Sequence, residues 1–262
     1  MRDLFETGPD IQALVERGAL FAVNHSGGKD SDATLITLRK IVPARQLLVV
    51  HATLADVEWP GTMEHAKTQA DAAGLPFIVA AARKIDGTPR TFVNMVEDKF
   101  ARVPGVPSFP LAKQRQCTSD LKRGPLDREI FAYMRRNGFH LLVNCEGIRA
   151  QESAHRAKRT PFAFNAGASK AGRECYDWLP IFDLTTAQVF ETIAQAGQKP
   201  HWAYGAGNER LSCVFCIMGS PGDIKNGAKH NPELFEKMAA LEERTGYALH
   251  MSRRTLREIV GS

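Results

Sequence analysis

Two stretches of this chain carry residues able to do chemistry. The first is Ser26-Gly27-Gly28-Lys29-Asp30-Ser31, which follows the apolar run Ala19 to Val23. That run reads as a buried strand, and Asp30 to Lys40, with Leu35, Ile36 and Leu38, reads as a helix. Glycines between a strand and a helix start let backbone N–H groups approach an anion, and Lys29 adds a mobile positive charge. The spacing predicts a phosphate site. It is not the P-loop, because Gly28-Lys29 is followed by Asp30 and position 23 is Val, nor is it the G-x-G-x-x-G fingerprint. An ordinary glycine turn is the bland alternative. The second stretch is Cys213-Val-Phe-Cys216, whose spacing aims two sulfurs at one metal or cluster. A redox pair, a zinc half-site and coincidence are its rivals. No second Cys-x-x-Cys pair exists, so a further ligand must come from Cys117, Cys145 or Cys175. Cys117, just before an expected helix start and beside Arg115, Lys122 and Arg123, has the setting that favours a thiolate. Cys145 ends an apolar run and could be a core residue, and Cys175 reads as surface.

The elements that must position these residues alternate. Residues 1–18 predict a capping helix with Ile11, Leu14 and Val15 on one face. Strands are expected at Gln46–Ala52, Pro76–Ala82, Phe139–Cys145 and Tyr176–Phe182. Helices are expected at about 63–73, 91–100, up to Asn137, and from Thr185 or Thr186 to Ala196. Two or three amphipathic helices fill 221–262. The pattern predicts an α/β fold with a doubly wound, mostly parallel sheet and a helical C-terminal segment. The organisation expected is residues 1–200 as a nucleotide-binding domain, with 201–262 packed on the same core. In such sheets ligands sit at the carboxyl ends of strands, so the Ser26 loop and His51–Glu58 should face one crevice. For His51, a ligand role and a satisfied strand-end histidine are equal readings.

Between Arg149 and Arg173 stand six Lys/Arg residues and one acid, Glu152. Residues 156–173 read as a mobile basic loop over the crevice, with a solvated surface loop as the alternative. The 262 residues are 44% apolar and 24% charged, ordinary for a globular protein of one sizeable core. No apolar run of membrane-spanning length and no apolar leader occur, so a cytoplasmic protein without a membrane role is expected. Five cysteines in that setting point to metal or redox chemistry. The net charge of +5 suggests an anionic ligand or partner.

The loop Ser26 to Ser31 resembles the SGGxDS loop of the ATP pyrophosphatases, also called adenine nucleotide alpha hydrolases, which cleave ATP between the α and β phosphates. His201 to Cys216, Gln116 to Lys122, Gly147-Ile-Arg149-Ala-Gln-Glu152-Ser and Trp178-Leu-Pro-Ile-Phe together resemble motifs of the phosphoadenosine phosphosulfate (PAPS) reductase-like family over about 20–220. Two departures matter. Thioredoxin-dependent reductases of this kind carry a cysteine near the C-terminus, and here none follows Cys216. They also have a degenerate loop, whereas this one is complete. The resemblance therefore implies an ATP-splitting member, such as the sulfurtransferases of DNA phosphorothioation and tRNA thiolation, several of which hold a [4Fe–4S] cluster. Gln116 occupies one position of the family's adjacent cysteine pair, which implies three ligands, Cys117, Cys213 and Cys216, with one iron open. Whether Cys145 is a fourth stays open, and zinc is the alternative metal.

On that reading Ser26 to Ser31, His51, Gly147 and Arg149 bind ATP. Lys29 steadies the leaving pyrophosphate, and Mg2+ is held partly by Asp30. Lys29, Asp30 and Cys117 are the catalytic candidates. Lys122, Arg123, Glu152, Arg156, Lys158 and Arg210 would meet phosphate of the nucleotide or of a nucleic-acid acceptor. A cysteine desulfurase as sulfur donor and a homodimer are further expectations. The runner-up is a PAPS or APS reductase. A third reading is a metal-stabilised nucleic-acid-binding module with a vestigial nucleotide site.

Overall fold

The computed structural model describes residues 9–262. Helix α1 (Pro9–Glu16) buries Ile11 and Leu14, while the part of the expected helix at 1–8 lies outside the described residues. Then follow β1 (Leu20–Asn24), α2 (Lys29–Leu38), β2 (Leu47–Ala52), α3 (Thr62–Ala72), β3 (Phe77–Ala80) and α4 (Phe92–Arg102). A short helix α5 (Gln116–Thr118) runs through a π-helical turn at Ser119–Arg123 into α6 (Gly124–Asn137). Strands β4 (Leu141–Cys145), β5 (Phe162–Phe164) and β6 (Glu174–Trp178) precede α7 (Thr186–Gln195) and α8 (Trp202–Gly205). Helices α9 (Pro221–His230), α10 (Pro232–Thr245) and α11 (Leu256–Val260) close the chain.

The sheet order is β3-β2-β1-β4-β6-β5, all parallel except β5, which runs antiparallel to β6. The expected doubly wound α/β fold is therefore present. Its central strands are apolar throughout because both faces are covered. Phe21, Val23, Val49 and Val143 pack on one face with α1 and α2; Leu20, Ala22, Leu48, Val50 and Leu142 pack on the other against Ile130 and Met134 of α6. Order reverses between β1 and β4, the place where such sheets open a crevice.

A separate apolar cluster carries the C-terminal region. It joins Leu54, Val57 and Trp59 after β2, Phe92, Met95 and Val96 of α4, Leu121, Val214 and Phe215, and Met238, Leu241, Leu256 and Ile259 of the last helices. Glu242 threads this cluster, its two carboxylate oxygens accepting the N–H groups of Leu249 and Leu256 at 2.7 and 2.8 Å.

Four expectations need correction. Residues 156–173 are not a loop throughout: β5 pairs with β6, and Phe162 stacks on Tyr176 with ring centroids 5.2 Å apart. Cys175 is not on the surface: it lies in β6 at 1% exposure, with its Sγ 3.5 Å from Ala168 O. The stretch 200–210, whose proline and glycines predict a loop, contains α8. Finally, the helix does not begin after Cys117 but at Gln116, upstream of Pro125. Pro125 lacks an N–H and its ring crowds the carbonyl four residues back, and the wider turn at Ser119–Arg123 absorbs both effects.

Candidate functional site

The Ser26–Ser31 loop leaves β1 at the crevice. Gly27 has φ +76°, and a Cβ there would lie 2.7 Å from Thr62 O, so only glycine lets the loop sit against α3. Gly28 is the N-cap of α2 and gives the helix no side-chain cap. The first amides of α2 thus end at the loop, the arrangement that holds an anion. Ser31 is buried, and its hydroxyl donates to Gly28 O at 2.7 Å, while Ser26 is exposed at the rim.

Lys29 is 4% exposed and its Nζ lies 3.0 Å from Asp30 Oδ2. Arg149, 3% exposed, donates from Nε to Asp30 Oδ1 at 2.7 Å and from an η nitrogen to Leu184 O at 3.2 Å. Asp30 thus sits between two buried cations, each of its oxygens accepting one hydrogen bond and keeping a further lone pair. Gly147 lets the β4 loop touch α2: a Cβ there would meet the Asp30 backbone at 2.9 Å and Thr34 Oγ1 at 3.1 Å.

Beneath the loop lies a buried network that the motif alone does not announce. His25 Nδ1 accepts the N–H of Gly27 at 3.2 Å, and its Nε2 is 3.3 Å from Asp32 Oδ1. His65 of α3 reaches both oxygens of Asp32 at 3.1 Å. Burial pushes the Asp32 carboxyl upward, yet hydrogen bonding from His25 and His65 outweighs it and holds Asp32 below the usual carboxylate range. His51 supports this network rather than the crevice. It is 1% exposed, and its Nδ1–H donates to His25 O at 2.8 Å, with Nε2 3.5 Å from Glu58 Oε1. The signals for His25 and Asp32 were adjacent to the loop, one residue before Ser26 and one after Ser31.

The basic candidates divide. Arg156 pairs with Glu152, and Arg210 lies 3.8 Å from the same carboxylate, so Glu152 gathers two cations at the crevice edge. Lys158 is exposed. Arg123 is exposed and faces Asp127, where burial pushes the carboxyl up and Arg123 pulls it down.

Lys122 goes elsewhere. It faces Cys213, Cys216, Cys117 and Glu58, and its electrostatic interaction with the sulfur of Cys213, first among them, raises its ammonium pKa. Three cysteines expected from remote segments are thus brought together around one ammonium. Cys213 is fixed against the end of β2: it forms an antiparallel bridge with Glu58, and Val214 N–H donates to Val57 O at 2.8 Å. Burial pushes the Cys213 thiol up to about 12, against the pull of Lys122. Burial also raises Cys117, so the expected low-pKa setting of that thiol is corrected: desolvation outweighs Lys122 and Arg115. Cys145 does not join them. It is fully buried in the apolar layer beside Phe21 and Val143, with its Sγ 3.6 Å from Val143 O.

Among the described residues no group of three or more His, Cys, Asp or Glu side chains closes tightly enough for one metal ion. The three thiols share one cationic neighbour, Lys122. The phosphate loop and the cysteine segment also touch: a Cβ on Gly28 would lie 3.4 Å from Leu211 Cβ, and Leu211 is two residues from Cys213.

This fold and loop define a protein of the adenine nucleotide alpha hydrolase type. The chain belongs to the phosphoadenosine phosphosulfate reductase domain family, whose model matches residues 21–218. It is similar to an uncharacterised protein of Escherichia phage 186, 27% identical over 135 residues, covering 51% of this chain and 39% of that protein. An uncharacterised Methanocaldococcus jannaschii protein is 24% identical over 229 residues, covering 87% of this chain and 49% of that one. The chain thus spans half or less of the length of the curated relatives it matches. A Candida auris PAPS reductase structure aligns with TM-score 0.47 and 12% identity, over 77% of this chain and 87% of that one. A U34-tRNA thiolase from Methanococcus maripaludis, solved with its [4Fe–4S] cluster, aligns with TM-score 0.41 and 11% identity, over 97% and 86%.

Proposed function

We propose that this chain is an ATP-splitting sulfurtransferase. The observation that carries this reading is the contact between a complete phosphate loop and the segment that bears Cys213 and Cys216, made at Gly28 and Leu211. The amides at the start of α2 bind the ATP phosphates, and Lys29, already buried beside them, steadies charge on the departing pyrophosphate. Asp30 and Arg149 hold Lys29 in place. An oxygen of the acceptor attacks the α-phosphate, the α–β bond breaks and pyrophosphate leaves; sulfur then displaces AMP from the adenylated carbon. Cys117, Cys213 and Cys216 would hold a [4Fe–4S] cluster, which when bound supplies an iron without a cysteine where sulfur can be presented. Lys122 balances the negative charge of the thiolates. Arg156, Lys158 and Arg210 suit phosphate on an acceptor such as a nucleic acid, with a cysteine desulfurase as the sulfur source.

Anaerobic purification with iron analysis, a visible spectrum and a pyrophosphate-release assay tests this. The expected result is a brown protein with about four irons that loses colour on Cys117→Ala, Cys213→Ala or Cys216→Ala, and an acceptor-dependent release of pyrophosphate. One zinc and no iron would remove the cluster chemistry. Sulfite release from PAPS without pyrophosphate release would replace the reading with a sulfonucleotide reductase.

A further inference from the structure

Tyr204, in the short helix α8, has no part in the chemistry above, yet its hydroxyl lies directly on the phosphate loop. Lys29 N–H donates to this oxygen at 3.0 Å, and the Leu211 N–H also faces it. A Cβ on Gly28 would come 3.1 Å from the same oxygen. The ring is fixed from two sides. Phe190 meets it edge-on at 5.7 Å, and Lys29 Nζ lies 5.5 Å from its centroid. Burial pushes the phenol's ionisation well above its ordinary value, so the hydroxyl keeps its proton at neutral pH.

A phenol oxygen that accepts backbone N–H groups still has one proton to donate. Among the described residues no acceptor takes it. The oxygen sits at the first amide of α2, where the helix start attracts an anion and where Gly28 supplies no capping side chain. A donor held there by two fixed backbone partners costs little reorganisation when an anion arrives.

We propose that Tyr204 is a phosphate-contacting residue: anchored by Lys29 N–H, its hydroxyl donates a hydrogen bond to a phosphoryl oxygen bound at the start of α2. This rests on the reading of the loop as a nucleotide site. It makes the segment that carries Cys213 a part of the phosphate site, because Tyr204 and Leu211 lie on that segment.

Tyr204→Phe removes the oxygen and keeps the ring, the Phe190 contact and the aromatic face towards Lys29. Binding of ATP and of inorganic pyrophosphate is measured by calorimetry, with the melting temperature of the unliganded protein alongside. A bond to a charged phosphate predicts about tenfold or more weaker binding of both ligands. A second variant separates donation from mere support of the loop. Fluorination makes a phenol a better donor and a poorer acceptor, so Tyr204→3-fluorotyrosine should bind pyrophosphate more tightly than wild type. Weaker binding there would reduce Tyr204 to an acceptor for Lys29 N–H and overturn the proposal. Unchanged or tighter binding in Tyr204→Phe would overturn it as well, the latter meaning that the hydroxyl competes with phosphate. Wild-type protein with no affinity for ATP or pyrophosphate would overturn the nucleotide reading together with this role. Wild-type binding that Tyr204→Phe leaves intact would overturn only the role of Tyr204.

Discussion

The phosphate loop and the cysteine centre are built in opposite ways. The loop's working parts, His25 to Asp32, are contiguous, and several of their bonds run within the loop itself. The cysteine centre draws on Glu58, Cys117, Lys122, Cys213 and Cys216, brought together by a cluster that spans residues 54 to 259. Damage inside the loop can reach the cysteine segment only through Gly28, Tyr204 and Leu211, whereas damage to the distant helices removes the floor of that segment directly.

The sharpest test is Asp32→Ala. Removing a fully buried carboxylate that serves two histidines should cost about 3 kcal/mol, measured by urea unfolding, while thiol alkylation rates at Cys213 and Cys216 remain those of wild type. A changed alkylation pattern would show that the buried Asp32 network, and not only the Gly28–Leu211 contact, reaches the cysteines. The same residue sets a pH effect. Its carboxyl is held below the value of 3.8 that it would have unfolded, so it contributes stability above about pH 4 that is lost on acidification below it. Asp32→Asn should flatten that acid limb of the stability curve.

Gly27→Ala comes next. Its positive φ and the 2.7 Å approach to Thr62 O predict a loss of about 2 kcal/mol and of nucleotide affinity, with iron content unchanged. Cys145→Ser is smaller. A hydroxyl in that apolar layer should cost about 1 kcal/mol without altering any bound iron, and loss of iron would make Cys145 a fourth ligand after all. Lys67→Ala, which breaks an exposed pair with Asp71 on α3, should change stability by less than about 0.5 kcal/mol and touch neither region.

The contrast also explains what was legible in the sequence. The loop was visible because its geometry depends on neighbours in the chain: strand, glycines, helix start. The parallel sheet was visible because two covered faces demand unbroken apolar strands such as Leu47–Ala52. His25, Asp32 and Tyr204 were not seen. A histidine beside a motif, an acid in a first helical turn and a tyrosine in a loop have common local explanations, and only packing brings His65 to Asp32 and Tyr204 to Lys29. Cys117 was expected to join Cys213 and Cys216, with its thiol acidified by nearby cations. Spacing cannot report desolvation, which dominates there. Cys175 was misplaced because three-residue β5, with its Phe162–Tyr176 stack, is too short to announce a hairpin.

The apolar cluster under the cysteines has a consequence in time. During synthesis the sheet can close once β6 has left the ribosome, and the phosphate loop can take its shape soon after. The cysteine centre must wait, because Leu256 and Ile259 are part of the floor on which Val214 and Phe215 rest. Until those last turns arrive, Cys117 and the Cys213–Cys216 pair lie on unfinished surface, open to oxidants and to stray metal. A cluster held by these cysteines, as proposed above, would therefore be enclosed only after Leu256 and Ile259 have packed beneath them.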